Sequence, residues 1–316
     1  MEERAFAGKS LYGGSLLVPS VQELVKKPIL TIPTRYIQPH HQEIISSDHH
    51  AHQIPSIDMQ KLLSQESTIS EAELARLHFA CQEWGFFQLF LVGENEDRNS
   101  RVLQPTHGRE EIFSQQPGDI EGFGQSFVVS EEQKLDWADT FFLTTLPVQL
   151  RKPRLLPKLP SPFRETLETY SLELKNLAMT ILSQMEKALQ METNEATNIF
   201  EGALQAVRVN YYPPCPQPGK VLGLTPHSDG GALTILLQVN EMDGLQVKKE
   251  GIWVPVKPLP DAFIVNIGDV LEVMIFTDNF NLLNIILLDT YMKMLSNCHF
   301  HTIDHQVSVV LRTKVS

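Results

Sequence analysis

Cysteine is scarce: Cys81, Cys215 and Cys298 are three thiols in 316 residues, with no CxxC spacing among them. A disulfide framework is therefore not expected, and the chain reads as one made for a reducing compartment. Positive charge is also in short supply, with 26 Lys and Arg against 38 Asp and Glu, a net charge of −12 and a pI near 5.4. A phosphate backbone or an anionic membrane surface rewards clustered cations, so neither nucleic acid nor membrane is an expected partner. The start, "MEERAFAGKSLYGGSLLVPS", has two acids directly after Met1 and no sustained apolar run. No secretory signal is expected there, and a cytoplasmic monomer is the expectation. Long hydrophobic runs are missing too. The most apolar stretch, Val273 to Leu295, is broken by Asp278, Asp289, Lys293 and three asparagines, and each charge at bilayer depth costs about 2.5–3.5 kcal/mol. Its longest uncharged run, Asn279 to Leu288, is too short to span. No internal repeat is visible.

What is present is an ordinary globular composition, 42% hydrophobic, enough for one large domain or two modest ones. The pattern changes near residue 203. Before it, Ile69 to Cys81 is rich in Ala, Glu and Leu, and "SPFRETLETYSLELKNLAMTILSQMEKALQM" starts with Ser161 as N-cap and Pro162 at the first helical position. Leu167, Tyr170, Leu174, Leu177, Ile181 and Met185 recur three or four apart, the core-facing stripe of a long amphipathic helix. After it come short strand-like runs: "LQAVRVNYY", "ALTILLQV", "LQVKKEGIWVPV" with a Glu250-Gly251 turn, "AFIVNIG" and "HTIDHQVSVV". Short strands with Gly and Pro punctuation predict a sandwich or jelly roll. The expected organisation is an N-terminal extension over 1–50, an N-terminal region over 51–160, a long helix and connector over 161–202, and a strand-rich domain over 203–316.

Within "TPHSDGGALTILL", His227 and Asp229 stand two apart at the head of an apolar run. On an extended segment both side chains point to one face and reach one ion. Two places compete for a third ligand. "PHHQEIISSDHHAH" carries His40, His41, His49, His50 and His52 in a polar, pattern-free stretch with nothing to fix their geometry, so it reads as a solvated loop. "CHFHTIDHQVSVV" places His305 just before Val307 and Val309, as a ligand at a strand end would be. Singly, His227 or His305 is more ordinarily a structural histidine; together with Asp229 they form a His-Asp-His set. Two imidazoles and a carboxylate on one face of an octahedron bind Fe(II) and leave three positions open for a bidentate 2-oxoacid and O2. The same set around Zn²⁺ would make a hydrolase, which needs a general base that the sequence does not offer. Asn210 and Tyr212 in "NYYPPCPQP" lie upstream on a strand and are expected to aim polar groups into the same cavity.

The chain resembles the plant 2-oxoglutarate- and iron-dependent dioxygenases, in the senescence-related and alkaloid O-demethylase-like branch. The motifs that carry the resemblance are "CQEWGFFQL", "QQPGDIEGFGQSFVVSEEQKLDWADTFFLTTLP", "NYYPPCPQP", "GLTPHSDGGALTILLQ" and "GLQVKKEGIWVPVKPLPDAFIVNIGDVLEVM". It implies a mainly β fold with α, a double-stranded β-helix (jelly roll) core with a helical N-terminal region. It also implies His227, Asp229 and His305 as iron ligands and Tyr212 with Asn210 at the 2-oxoglutarate site, with ascorbate as a supporting reductant. The implied reaction is O2-dependent hydroxylation, or O-demethylation, of a small aromatic specialised metabolite.

The departures from that family pattern lie towards the end of the chain. Relatives run from "GDxLEI" almost directly into "SNGxYxSxxHR", whereas here residues 274–294 intervene, rich in Ile, Leu, Asn and Phe. A retained intron is the expected origin, and a genuine loop the alternative. "FLVGENEDRNSRVLQPTHGREEIF" after "WGFFQL" is also unlike the family. The Arg-x-Ser pair that follows the second histidine is replaced by "LRTKVS", with Lys314 and Ser316 as its expected equivalents, one position out of register, and Arg312 as a rival. A truncated C-terminus, missing a barrel strand, and weak or absent turnover are the expectations from these differences.

Overall fold

In a computed structural model the described residues are 15–27, 29–38, 53–91, 113–125, 127–191, 195–240, 242–277 and 305–308. Among them the strands are β1 Ser56–Asp58, β2 Phe86–Phe90, β3 Gly122–Gly124, β4 Asp139–Leu146, β5 Gln205–Tyr211, β6 Leu222–His227, β7 Leu233–Leu236, β8 Leu245–Lys249, β9 Ile252–Pro255, β10 Ala262–Ile267 and β11 His305–Ser308. They form three sheets, ordered β1-β2-β10-β7, β6-β11-β8-β9 and β3-β4-β5. All neighbours are antiparallel except β1 and β2.

The first two sheets face each other as the layers of a jelly roll. Phe86 of β2 and Ile264 of β10 pack there against Leu245 and Val247 of β8 and Val254 of β9. Strand alternation turns Phe87, Leu89, Val265 and Ile267 to the opposite side, where they meet the helices Ser67–Phe79 and Ser161–Ala188 through Leu77, Ile181, Leu182 and Met185. The β2-β10 pair thus buries apolar side chains on both faces, which is why "FFQLF" and "AFIVNI" read as hydrophobic runs broken only by the buried Gln88 and Asn266 rather than as alternating ones. Burying an aliphatic or aromatic side chain contributes roughly 1.5–3 kcal/mol, so this double burial makes the pair the mechanical centre of the fold.

Three sequence expectations shift. The long helix spans Ser161–Ala188, with Pro160 rather than Ser161 at the N-cap position; the Ser161 hydroxyl instead bonds Glu165. The first predicted helix runs Ser67–Phe79 and continues as a π-helical turn through Ala80–Trp84. The region before residue 203 also contributes more strand than its helical signals indicate, since β4 lies between β3 and β5 with antiparallel pairing on both sides, its register to β5 shifting between Thr144 and Leu146. The β8-β9 hairpin agrees with its predicted turn: Glu250 and Gly251 have φ of 52° and 83°, the double left-handed geometry of a type I′ turn, which Gly at the second position tolerates best.

"LDWAD" fastens three parts of the chain to β4. The Asp136 carboxylate accepts the Thr225 N–H at 2.9 Å. Trp137 is fully buried, donates from its indole to the Pro213 carbonyl at 3.0 Å and meets Tyr36 edge-on at 5.3 Å. Asp139 accepts from the Ser20 hydroxyl and from the N–H groups of Val21 and Gln22, tying the short N-terminal helix Val21–Val25 to the sheet. Among the described residues no helix is long and apolar enough to cross a membrane. Most of the 273–295 stretch lies outside those residues, although the helix Asp269–Thr277 enters it.

Candidate metal and co-substrate site

β6 ends at His227, and the turn after it, through Asp229 and two glycines, leads into β7. The imidazole Nδ1 lies 2.9 Å from the Thr225 carbonyl oxygen. Only a protonated Nδ1 bonds a carbonyl, so the lone pair is placed on Nε2. That Nε2 stands 3.5 Å from Oδ1 of Asp229. The other carboxylate oxygen, Oδ2, accepts from the Thr234 hydroxyl at 2.5 Å and from the Asn266 amide at 2.9 Å. Two lone-pair atoms therefore converge while their partner atoms are engaged elsewhere. Adjacent ligands of one ion, at bonds of about 2.0–2.2 Å, sit about 3 Å apart, so the pair fits a shared metal with a monodentate carboxylate.

The support behind Asp229 comes from distant segments. Thr234 and Asn266 are register partners across β7 and β10, which is how two residues far apart in sequence meet on one oxygen. The turn itself is held by the N-terminus of the helix Asp269–Thr277: Asp269 N–H reaches the Asp229 carbonyl at 2.8 Å and Val270 N–H the Gly231 carbonyl at 3.1 Å. Gly268, at the entry to that helix, bonds the Ala232 carbonyl at 2.9 Å. A Cβ at Gly268 would sit 2.3 Å from the Gly231 oxygen and 2.7 Å from the Asp229 oxygen. Only glycine permits the two backbones to approach this closely.

His305 opens β11, in register directly opposite His227 of β6 and paired on its other side with Val247 of β8. The backbone thus brings all three expected ligands to one end of the β6-β11-β8-β9 sheet. His40, His41, His49, His50, His52, Arg312, Lys314 and Ser316 lie outside the described residues.

Against β6 is a small polar cleft lined by Asp136, Arg208, Asn210, Tyr212 and Leu224, among others. Burial pushes the Tyr212 phenol up to about 12, opposed by the nearby Arg208 charge and a hydrogen bond from Asn210. At neutral pH it is therefore a protonated donor. Burial likewise pushes the Asp136 carboxyl up to about 6, against the Thr225 N–H and the Arg208 charge. The Nε of Arg208 and the Oδ1 of Asn210 are buried without a hydrogen-bond partner among the described residues. Asn210 and Tyr212 were expected at this cavity; Asp136, Arg208, Thr234, Asn266 and Gly268 carry no role in the sequence reading. "LDWAD" and "NIGD" were visible as motifs, but no local periodicity tells which of their side chains turn toward β6.

Residues 203–316 match the family model described as the 2OG-Fe(II) oxygenase superfamily, and residues 54–159 match the non-haem dioxygenase in morphine synthesis N-terminal model. Thebaine 6-O-demethylase of Papaver somniferum is 49% identical over 278 residues, covering 83% of this chain and 76% of that protein. Protein SRG1 of Arabidopsis thaliana is 52% identical over 272 residues, covering 82% and 75%. Oxoglutarate-dependent flavonoid 7-O-demethylase 1 of Ocimum basilicum is 51% identical over 280 residues, covering 86% and 74%. Among solved structures, JOX2 in complex with 2OG, Fe and JA superposes with a TM-score of 0.71 at 30% identity, over 94% of this chain and 80% of that one.

Proposed function

We propose, for a chain that belongs to the 2OG-Fe(II) oxygenase superfamily, that His227, Asp229 and His305 hold its iron and that its substrate is a small aromatic specialised metabolite. The family activity is that of a 2-oxoglutarate/Fe(II)-dependent dioxygenase, with O2-dependent hydroxylation or O-demethylation as the reaction. When bound, iron(II) with 2-oxoglutarate supplies the activation of O2. The protein's part is positioning. Thr225 fixes the His227 ring by taking its Nδ1–H, and Thr234 with Asn266 holds one Asp229 oxygen and so orients the other toward His227 Nε2. Outer partners of this kind set ligand orientation and basicity.

For the co-substrate, the protonated Tyr212 hydroxyl is a donor matched to a carboxylate, and Asn210 lies beside it on the same strand face. Lys314 and Ser316 are the proposed further holders of the distal carboxylate, with Arg312 as the competing cation. Ascorbate as supporting reductant, a cytoplasmic site of action and a monomeric state complete the reading. The O-demethylase names of the flavonoid and alkaloid relatives support an aromatic substrate carrying O-methyl groups.

The observation that carries the proposal is the convergence of His227 Nε2 and Asp229 Oδ1 with their companion atoms already engaged. Its test is iron content of the purified chain together with 2-oxoglutarate turnover. Bound iron, and O2 uptake that is weak but requires both Fe(II) and 2-oxoglutarate and stops with Zn²⁺, is expected. A chain that binds no iron, or that hydrolyses substrates with Zn²⁺ instead, would overturn it.

A further inference from the structure

We infer that the open edges of β5 and β7 flank a strand-shaped slot, which takes an extended basic segment of another polypeptide, apolar at every second residue, as an added β-strand. The slot is separate from the metal and co-substrate reading and does not depend on it.

β5 ends the sheet β3-β4-β5 and β7 ends the sheet β1-β2-β10-β7, so among the described residues each is paired on one side only. Neither is built as a rim strand. β7 is "LTIL", β5 is "QAVRVNY", and no lysine or proline blunts either edge. Yet no residue of β5 or β7 is fully buried, whereas β1, β2, β3, β4, β6, β8, β9 and β10 each bury at least one. Apolar strands left half-covered at two open edges are short of a neighbour.

The floor of the slot is the helix Ser161–Ala188, which touches both strands. Towards its start Val207 of β5 joins the cluster of Leu167, and the Gln205 amide donates to the Ser171 carbonyl at 3.0 Å. Towards its end Leu233 and Ile235 of β7 join the cluster of Ile181, Leu182 and Met185. Of the helix's apolar stripe, Leu167 and Tyr170 belong to the first cluster and Leu177, Ile181 and Met185 to the second. Leu174, midway, belongs to neither among the described residues and is only half-buried. About 15 Å of helix runs from Ser171 to Ile181, and a strand bonded to both edges sets β5 and β7 about 10 Å apart. One strand crossing over Leu174 fits that interval. Leu233 and Ile235 turn to the helix while Thr234 turns to Asp229, so an inserted strand alternates likewise and sets every second side chain, an apolar one, on the floor. Charge complementarity makes the segment basic, because the chain carries a net charge of −12. Backbone bonds to the two edges supply affinity, and the alternate side chains supply selectivity.

The test is fluorescence anisotropy of a labelled peptide, KVTVSVTK, with the full chain and no added metal, so that the iron ligands play no part in the outcome. Three controls accompany it: the same peptide with its valines N-methylated, which blocks one hydrogen-bonding edge, a regrouped KVVVTSTK, and an acidic EVTVSVTE. The alternating basic peptide is expected to bind tenfold or more tighter than the first two, about threefold or more tighter than the third, and to raise the thermal midpoint. Leu174→Asp, which sets a charge in the floor, is expected to weaken it tenfold or more, whereas Leu174→Met retains binding and Leu172→Asp, on the exposed side of the helix, changes it less than about twofold. Thermal unfolding without peptide checks that each variant is folded; if Leu174→Asp is not, Leu174→Ala, expected to lose about threefold, decides. No binding, equal binding of any control, or a constant unmoved by the Leu174 variants would overturn the inference. Binding that appears only after removal of residues 309–316 would assign the slot to the chain's own tail, and a dimer abolished by Leu174→Asp would assign it to a second copy. Either result overturns a partner in trans of the stated kind.

Discussion

Asp229 and His305 are brought to the same end of the barrel by different means. Asp229 sits in a turn fixed by four contacts from three elements: a hydroxyl from β7, an amide from β10, and two N–H groups from the start of the helix Asp269–Thr277. His305 is positioned by strand register alone among the described backbone, between β6 and β8, and that ladder already shifts register between His305 and Val307 on the β6 side. A one-residue slip there turns every side chain of β11 over. The metal site thus has an over-determined half and a half that depends on how β11 is delivered.

Gly268→Val attacks the over-determined half where it has no slack. The new Cβ meets two carbonyl oxygens at 2.3 and 2.7 Å, so the turn and the helix must separate; loss of iron and a fall in thermal midpoint or soluble yield are expected together. Next in size, His227→Ala or Asp229→Ala should abolish iron binding in a folded chain, while alanine at His40, His41, His49 or His50 leaves iron content unchanged. Equal iron loss in both groups would erase the distinction between the strand-held ligands and the histidine-rich stretch. The dependent half is probed by deleting residues 274–294 and rejoining Val273 to Leu295. Iron occupancy and soluble yield should rise if the insert disturbs delivery of β11, and an unaltered occupancy at one equivalent would make it a tolerated loop. Asn266→Ala removes one of two donors from Asp229 Oδ2, and a metal affinity lowered about 10–100-fold is expected from equilibrium dialysis. Smallest is Tyr212→Phe, expected to weaken 2-oxoglutarate by about 0.5–1.5 kcal/mol in an anaerobic titration of the iron-loaded chain.

The same contrast explains what was legible in the residues alone. His227 and Asp229 were readable because a two-residue spacing on a strand is a local fact, and the Glu250-Gly251 turn because its φ demands are local too. Thr234 and Asn266 were not, since their convergence depends on a register between β7 and β10 that no local pattern encodes. Asp136 was hidden for a related reason: its partner is a backbone N–H 89 residues away. The helix that begins at Ser161 was off by one at its cap because Ser161 and Pro162 are both good starters, and the Pro160 backbone decided between them. β4 was missed because "DTFFLTTL" has no clean alternation, being buried in stretches on both faces.

Strand β2 lies between β1 and β10, and its register pairs Phe86 with Asn266, which are 266 − 86 = 180 residues apart. On a ribosome adding about 5–20 residues per second, β2 is made roughly 10–40 s before its partner. For that interval a strand apolar on both sides has an open edge and nothing native to close it. The chain therefore needs something to shield "FFQLF" during its own synthesis, and the rate at which the second half is translated becomes a determinant of how much of the protein reaches the folded state.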